Sequence, residues 1–235
     1  MYDVEDYPLN WIDGTYYSTY KGNTFQVSSI ENVKSEADYA AVTSINLSNQ
    51  SLTTDFTNTL LSKFTNIQTF NCVDNNINIL DVTSLVNLTQ LRCFRNNINI
   101  LDVTSLVNLT ELSCYTNNIS VLDVTSLINL TILNCVTNNI SVLDVTSLVN
   151  LTYLNCAVNN ISTLGISNLV NLTFLNCAVN QLNAATNSQI LIDLDTNNKS
   201  NGFLNSTIFG GGSLTTAGQT AKSNLLSKGW TIVGI

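Results

Sequence analysis

Histidine is missing from this sequence of 235 residues. Its absence excludes any mechanism that relies on a histidine acid, base or metal ligand. Positive charge is also scarce, because 8 Lys and Arg residues stand against 16 Asp and Glu, giving a net charge of −8. Proteins bind nucleic-acid backbones through clustered Lys and Arg. We therefore expect no nucleic-acid partner.

Long apolar runs are lacking as well. No segment approaches the roughly 18 apolar residues of a membrane span, so we expect no membrane insertion. The opening residues, MYDVEDYPLN, also lack the basic and apolar regions of a signal peptide. We therefore expect a chain that is made without a signal peptide or that begins after one.

What the sequence does contain is a repeat. Around each cysteine runs the pattern L-x-x-L-x-C-x-x-N-x-I, and with Cys in place of Leu this is the pattern of a leucine-rich repeat. An earlier, degenerate copy spans Val42 to Leu52. The interval of 25 residues between Leu47 and Cys72 leaves room for a fuller helix in TDFTNTLLSKF. The cysteines fall 21 residues apart, at Cys72, Cys93, Cys114, Cys135, Cys156 and Cys177.

The repeat predicts a right-handed solenoid of the α/β leucine-rich-repeat type. TQLRCF alternates, so Leu91 and Cys93 point inward while the residues between them point outward. One strand per coil, stacked about 4.8 Å apart, gives a parallel concave sheet of about seven strands. Asn96 turns the chain away from the strand. On the convex side we expect a short extended LDV piece and a tight helical turn begun by Thr104 or Ser105.

The ends of the chain differ from the repeats, as the ends of a solenoid must. Residues 1–27 are rich in aromatics, and 28–41 is predicted to be a helical N-terminal cap, because Ser28 and Glu31 fit a capping box. The repeats occupy 42–180. In the C-terminal cap, 181–235, we expect a short strand in QILIDLD, a helix in TTAGQTAKSNLLSK closed by Gly229, and a final strand in WTIVGI.

Over roughly residues 42–200, the wording NLTxLxCxxNxIxxLDV resembles bacterial internalin-like leucine-rich repeats. This resemblance implies a non-enzymatic protein that binds other macromolecules, usually at cell surfaces. The hypotheses are an attachment protein, either a phage virion spike or tail receptor-binding component or an exported adhesin, and a structural subunit that docks through its N-terminal segment. Exposure on a virion or a cell surface after cytoplasmic synthesis is the expected localisation.

The cysteines are interpreted as core residues. Zinc sites need paired cysteines at short spacing, and a catalytic thiol needs a histidine. Parallel side chains on neighbouring coils keep their Cβ atoms near 4.8 Å apart, too far for good disulfide geometry. We expect six reduced, buried thiols, and we expect neither a cofactor nor an enzymatic activity.

Three other polar patterns are interpreted as turn chemistry. Each Asp of the LDV column is expected to be exposed and to bond the backbone that follows, with cation binding as the alternative. DLDTNNKSNG, from Asp193 to Gly202, resembles a calcium loop, but it lacks the glycine at its sixth position and has Leu204 where the closing Glu belongs. The Asn-Leu-Thr sequons are expected to serve the turns, with glycosylation as the alternative. These sequons begin at Asn87, Asn108, Asn129, Asn150 and Asn171, and the Asp column is Asp81, Asp102, Asp123 and Asp144.

The candidate binding site is the set of outward strand positions, which vary from coil to coil while the inward positions stay nearly constant. Exposed aromatic and apolar residues cluster there, with arginines beside them, and this is the composition of a binding hot spot. The alternative is unconstrained surface drift. The predicted ligand is a protein or a surface glycan. The candidate residues are Arg92, Phe94, Arg95, Glu111, Tyr115, Ile132, Tyr153 and Phe174.

Overall fold

The computed structural model describes residues 9–12, 15–20, 23–27, 40, 42–53, 61 and 64–235. Within these ranges twelve short strands form one sheet, in the order β1-β2-β3-β4-β5-β7-β9-β10-β11-β12-β13-β14, and β6 pairs with β8 separately. The strands are β1 (Leu9–Ile12), β2 (Thr15–Tyr20), β3 (Asn23–Val27), β4 (Ser44–Asn46), β5 (Thr69–Asn71), β6 (Ile79–Leu80), β7 (Gln90–Arg92), β8 (Ile100–Leu101), β9 (Glu111–Ser113), β10 (Ile132–Asn134), β11 (Tyr153–Asn155), β12 (Phe174–Asn176), β13 (Phe203–Asn205) and β14 (Thr231–Val233).

The main sheet is parallel from β4 onward, and each repeat contributes one strand in strict register. Leu91 pairs with Leu112, and Leu133 pairs with Leu154. These central residues are fully buried, because alternation along the strand turns them toward the core. The predicted leucine-rich-repeat solenoid is confirmed. Among the described residues, the repeats supply the strands β4, β5, β7 and β9 to β12.

A buried asparagine follows each of the strands β5, β7 and β9 to β12, where the chain leaves the sheet. In the coil of β9, Asn117 Nδ2 donates to the carbonyl oxygens of Cys93 and Cys114, at 3.1 and 3.0 Å. Its Oδ1 accepts from the backbone N–H of Ile98 at 3.0 Å. The predicted turning role of Asn96 is confirmed by the same set of bonds. The ladder consists of Asn75, Asn96, Asn117, Asn138, Asn159 and Asn180.

The convex side follows the predicted alternation but starts its turn differently. Leu101 and Val103 are buried, and Asp102 is exposed. Instead of a helical turn, two successive tight turns follow, in which Leu106 N–H donates to Val103 and Leu109 N–H to Leu106. The expectation that Thr104 or Ser105 begins the turn was wrong. Asp102 does so, since its Oδ1 accepts from both the N–H and the hydroxyl of Thr104.

At the N-terminal end, β1 pairs antiparallel with β2, β2 with β3, and β3 with β4. The described strands of the aromatic-rich N-terminal segment therefore lengthen the main sheet. The capping-box helix predicted for 28–41 lies outside the described residues, apart from Ala40, which is helical. The helix expected in TDFTNTLLSKF also lies largely outside them.

The predicted strand in QILIDLD was wrong, because this segment lies in helix α1 (Ala184–Thr196). Asn183 caps the helix by accepting from Thr186 N–H at 2.9 Å. The apolar residues Ile190, Leu191 and Leu194 fall on one helical face, and all are buried. The predicted helix is confirmed as α2 (Thr216–Ser227), with Gly229 at φ +82° just beyond it, and the predicted final strand is β14. Neither α1 nor α2 is long and apolar enough to cross a membrane, and the same holds for all the helices among the described residues.

The C-terminal region shares its core with the repeats. Leu204, Leu225 and Trp230 belong to the same cluster of buried residues as the repeat leucines. Trp230 Nε1 donates to the Lys199 carbonyl at 2.8 Å. The indole covers Gly202 so closely that a Cβ there would lie 2.5 Å from the ring. These contacts support the proposal that 181–235 is a cap and not a separate domain.

Replacing Trp230 with Ala tests this proposal. The substitution removes a side chain that is only 3% exposed, so the free energy of unfolding should fall by about 3–5 kcal/mol. Leu226→Ala, on the exposed side of α2, should change it by less than about 0.5 kcal/mol. Urea unfolding followed by circular dichroism should show one transition in both variants. An early transition that leaves the repeats folded would contradict the cap.

Candidate ligand-binding face

The predicted concave face is the solvent-facing side of the main sheet, and the structure places seven of the eight candidate residues there in aligned columns. The eighth, Arg95, lies at its edge. The columns follow from the register, because equivalent residues of successive repeats pair directly. The first column is Gln90, Glu111, Ile132, Tyr153 and Phe174; the middle column is Arg92, Ser113, Asn134, Asn155 and Asn176; the last column is Phe94, Tyr115, Val136, Ala157 and Ala178.

One aromatic cluster lies in the last column, toward the N-terminal end. The rings of Phe94 and Tyr115 stack with centroids 4.1 Å apart and planes 12° from parallel. The Arg95 guanidinium lies 5.8 Å from the Phe94 centroid and 6.0 Å from that of Tyr115. At this distance a cation is attracted to the ring faces, so Arg95 belongs to the same cluster.

A second aromatic cluster lies in the first column, toward the C-terminal end. Tyr153 stacks on Phe174 at 4.2 Å, and Phe174 stacks on Phe203 at 4.9 Å. Ile132 lies on the preceding strand, β10, where it pairs with Tyr153 and is 37% exposed. Among the residues whose side chains the structure describes, the aromatic residues of this face therefore form two clusters in different columns and not one continuous stripe.

Sequence analysis missed Phe203, although a signal was present. FLNS at 203–206 repeats FLNC at 174–177. Strand β13 therefore continues the series of repeat strands, with Ser206 in the cysteine position. The interval grew from 21 to 29 residues, because α1 replaces the tight convex turns of this coil. Ser206 is fully buried, and its Oγ donates to Asn187 Oδ1 at 2.5 Å.

The two arginines differ in how fully their positive charge is paired with a carboxylate of the same chain. Arg92 Nε lies 2.8 Å from Glu111 Oε1, and its Nη2 lies 3.1 Å from Oε2. This bidentate bond raises the pKa of the Arg92 guanidinium and offsets its charge within the chain. Arg95 lies 3.6 Å from Asp74, in a pair whose side chains are 58% and 43% exposed. Arg95 is thus the better placed of the two to contact a ligand.

The residue before each ladder asparagine has a left-handed backbone. This conformation lets its N–H reach the next coil, as Thr116 does in donating to Val136 at 2.8 Å. Branched side chains are unfavourable there, yet Val158 and Val179 are 41% and 60% exposed at such positions. The six residues, at φ between 53° and 56°, are Asp74, Arg95, Thr116, Thr137, Val158 and Val179.

A row of amide donors runs along the middle column. Asn134 Oδ1 accepts from Val136 N–H, and Asn176 Oδ1 accepts from Ala178 N–H, both at 3.4 Å. This orientation turns each Nδ2 away from the chain's own backbone. Beside the row, Ala157 and Ala178 are small and buried. The C-terminal half of the face therefore combines three features. They are the aromatic ridge of Tyr153, Phe174 and Phe203, the amide donors, and the small alanine side chains beside them.

The cysteines are not part of this face. All six are buried and free of disulfides. Burial raises the pKa of the Cys114 thiol to about 12 and that of Cys177 to about 11. Since the thiolate is the reactive form, these cysteines are packing residues, as predicted.

Two of the three remaining polar patterns, the Asp column and the sequons, take their predicted turn roles. Asp123 Oδ1 accepts from Thr125 N–H and Oγ1, and these bonds lower the pKa of the carboxyl. The sequon Asn129 Nδ2 donates to the Val107 carbonyl of the preceding coil at 3.0 Å. The turn predicted for Asp193 to Gly202 was wrong for the start of this segment, because Asp193 and Asp195 lie in the last turn of helix α1. Asp195 is bonded to Lys228 at 2.6 Å.

Solved structures with the same fold include two internalins. The functional domain of InlJ from Listeria monocytogenes, described as including a cysteine ladder, is 24% identical over 90% of this chain and 55% of that chain, with a TM-score of 0.55. InlF from Listeria monocytogenes is 21% identical over 88% of this chain and 64% of that chain, with a TM-score of 0.64. This chain therefore spans little more than half the length of the InlJ structure.

A third solved structure also has this fold. The structure of PEPR1-AtPEP1 is 20% identical over 74% of this chain and 25% of that chain, with a TM-score of 0.58. No protein-family model and no curated protein matches this chain. The predicted resemblance to internalin-like leucine-rich repeats is confirmed by the structural likeness.

The cysteine assignment can be tested by titration and substitution. Six thiols should react with Ellman's reagent in denaturant without reductant, and two or fewer would contradict the assignment. Cys135→Ser should lower the free energy of unfolding by about 1–3 kcal/mol, because a hydroxyl would replace a thiol among apolar side chains. Thr163→Ser, on the surface, serves as the control and should change it by less than about 0.5 kcal/mol.

Proposed function

We propose that this chain is a non-enzymatic recognition module that binds a protein ligand through its concave face. The observation that carries the proposal is the pair of solvent-facing aromatic clusters on a rigid parallel sheet. Preordered aromatic side chains lose little conformational entropy on binding and are frequent in binding hot spots. The solved structures of similar fold support a binding role, since one is a complex of PEPR1 with AtPEP1.

Within the clusters, stacking favours a protein ligand over a glycan. Sugars are held by an exposed ring face, but here Phe174 has Tyr153 on one side and Phe203 on the other. The ridge therefore offers ring edges to a ligand, and ring edges suit contact with aromatic side chains and oxygen atoms. The amide donors of Asn134 and Asn176 lie beside the ridge and suit carbonyl acceptors.

Two settings fit this activity. One is attachment, either as a virion spike or tail component or as an exported adhesin. The other is a subunit that docks through its N-terminal segment, which is favoured by β1 lying at the edge of the main sheet in the described part of the chain. An edge strand can pair with a strand of another protein.

A pull-down with matched variants tests the proposal. The immobilised chain is mixed with surface-protein extract from a candidate host, and captured proteins are quantified by mass spectrometry. Tyr115→Ala with Tyr153→Ala should reduce capture of specific partners at least tenfold, since each aromatic anchor is worth about 2 kcal/mol. The control pair, Val107→Ala with Ile128→Ala, alters exposed apolar residues on the convex side.

Two further arms separate the alternatives. Periodate oxidation of the extract destroys glycans and should leave capture unchanged, whereas protease treatment should abolish it. Deletion of residues 1–24, checked for folding by circular dichroism, should leave capture intact if the concave face binds. Capture that survives the tyrosine variants but not the deletion would reject the concave face in favour of the N-terminal segment.

A further inference from the structure

A second apolar surface lies on the convex side of the coils, away from the concave face. Ile100, Val121 and Val142 occupy the same position in three successive repeats, and they are 62%, 74% and 75% exposed. The sheet pairing between β6 and β8 does not continue to the coils of Val121 and Val142 among the described residues. These side chains form an apolar column in contact with solvent.

An acidic column runs beside it. Asp102, Asp123 and Asp144 follow the apolar residues by two positions, and the leucine between each pair is buried, so both side chains point outward. Each carboxylate uses Oδ1 for its own turn.

Shallow depressions lie between successive coils, each lined by both columns. One of about 310 Å³ is lined by Ile100, Val121, Asp102 and Asp123, among others. The next, of about 230 Å³, is lined by Val121, Val142, Asp123 and Asp144. The same combination of apolar and acidic groups is thus presented at intervals of one coil.

Both columns end at the same repeat. The next coil has Thr163 in the apolar position and Gly165 in the acidic position. A separate exposed apolar column in the convex turns continues through Val149 and Val170 without a break. Loss of both groups in one step indicates that the two columns form one surface.

The spacing and charge of this surface identify a ligand class. Successive coils are about 4.8 Å apart, whereas side chains on one face of a strand recur about every 6.8 Å and turns of a helix about every 5.4 Å. Over two coils a helix departs from the column by about 1 Å and a strand by about 4 Å. We propose that the surface formed by Ile100, Val121, Val142, Asp102, Asp123 and Asp144 binds a basic amphipathic helix of a partner protein.

A second copy of this chain is a poor occupant. Among the described helices, α2 carries Lys222, which bonds to the Ile235 carbonyl, and Lys228 at its end, which bonds to Asp195. Arg92 is held by Glu111. The described part of the chain offers no helix with a free basic face, which favours a separate protein as the source of the cations.

The probe is a fluorescein-labelled, stapled helix of about 16 residues, long enough to span four coils. Its Leu residues recur at alternating intervals of three and four positions along one face, and its Lys residues recur at the same intervals along the adjoining face. Fluorescence anisotropy should give a dissociation constant in the micromolar range. Replacing every Lys with Glu should abolish binding.

Four double variants of the full chain complete the test. Asp102→Asn with Asp123→Asn removes two negative charges but keeps a side-chain oxygen that can accept the hydrogen bonds of the turn. It should weaken binding at least fivefold. Val121→Thr with Val142→Thr, which copies the natural Thr163, should do the same. The controls are Val107→Thr with Ile128→Thr on the other apolar column and Glu5→Gln with Asp6→Asn, which removes the same charge elsewhere. Both controls should bind within twofold of the natural chain.

Three results would overturn the proposal. They are no binding of the Leu/Lys helix up to about 0.5 mM, equal binding of the Glu helix, and equal losses in the test and control variants. Since the concave residues are untouched in every variant, the outcome is independent of ligand binding at the concave face.

Discussion

The fold depends on one hydrogen-bonding arrangement, in which a buried asparagine amide joins neighbouring coils. The Asn138 side chain bonds the carbonyl oxygens of Cys114, Cys135 and Val136 as well as the Ile119 N–H, so it serves four backbone groups beyond the ends of the strands. Buried backbone groups without partners are costly. The ladder asparagine therefore allows the backbone to leave the strand of each coil while its polar groups stay buried and hydrogen-bonded.

This constraint explains the pattern of variation in the repeat. The asparagine fixes the geometry of the turn, including the left-handed residue before it, even where that residue is Val158 or Val179. Leucine and cysteine fill the space inside the coil, and a thiol is small enough to lie next to a carbonyl that accepts from the amide. Outward positions take no part in either demand. They are free to carry Phe94 and Tyr115 in one region and Tyr153 and Phe174 in another.

Local rules predicted much of this structure, and the errors have identifiable physical causes. Alternation along the strand was enough to place Leu91 inward and Phe94 outward, since every coil repeats the same short pattern. QILIDLD was assigned to a strand because its apolar run fits the periodicity of a strand as well as that of a helix. The helix is stabilised by its N-cap and by its buried contacts with the core, and these depend on the rest of the fold. The bond between Arg92 and Glu111 joins different repeats. The pairing of their side chains depends on rotamers that the sequence does not specify.

Amide hydrogen exchange at Ile119 tests the central role of the ladder most directly. Its N–H donates to a side chain and not to a strand, yet it should exchange as slowly as the N–H groups of β10. Asn138→Ala should lower the free energy of unfolding by about 3 kcal/mol and speed this exchange at least tenfold, because the amide loses its buried acceptor. Asn129→Ala, which removes one exposed bond to Val107, should leave the exchange of Ile119 unchanged. Fast exchange of Ile119 in the natural chain, or equal effects of the two substitutions, would contradict the account.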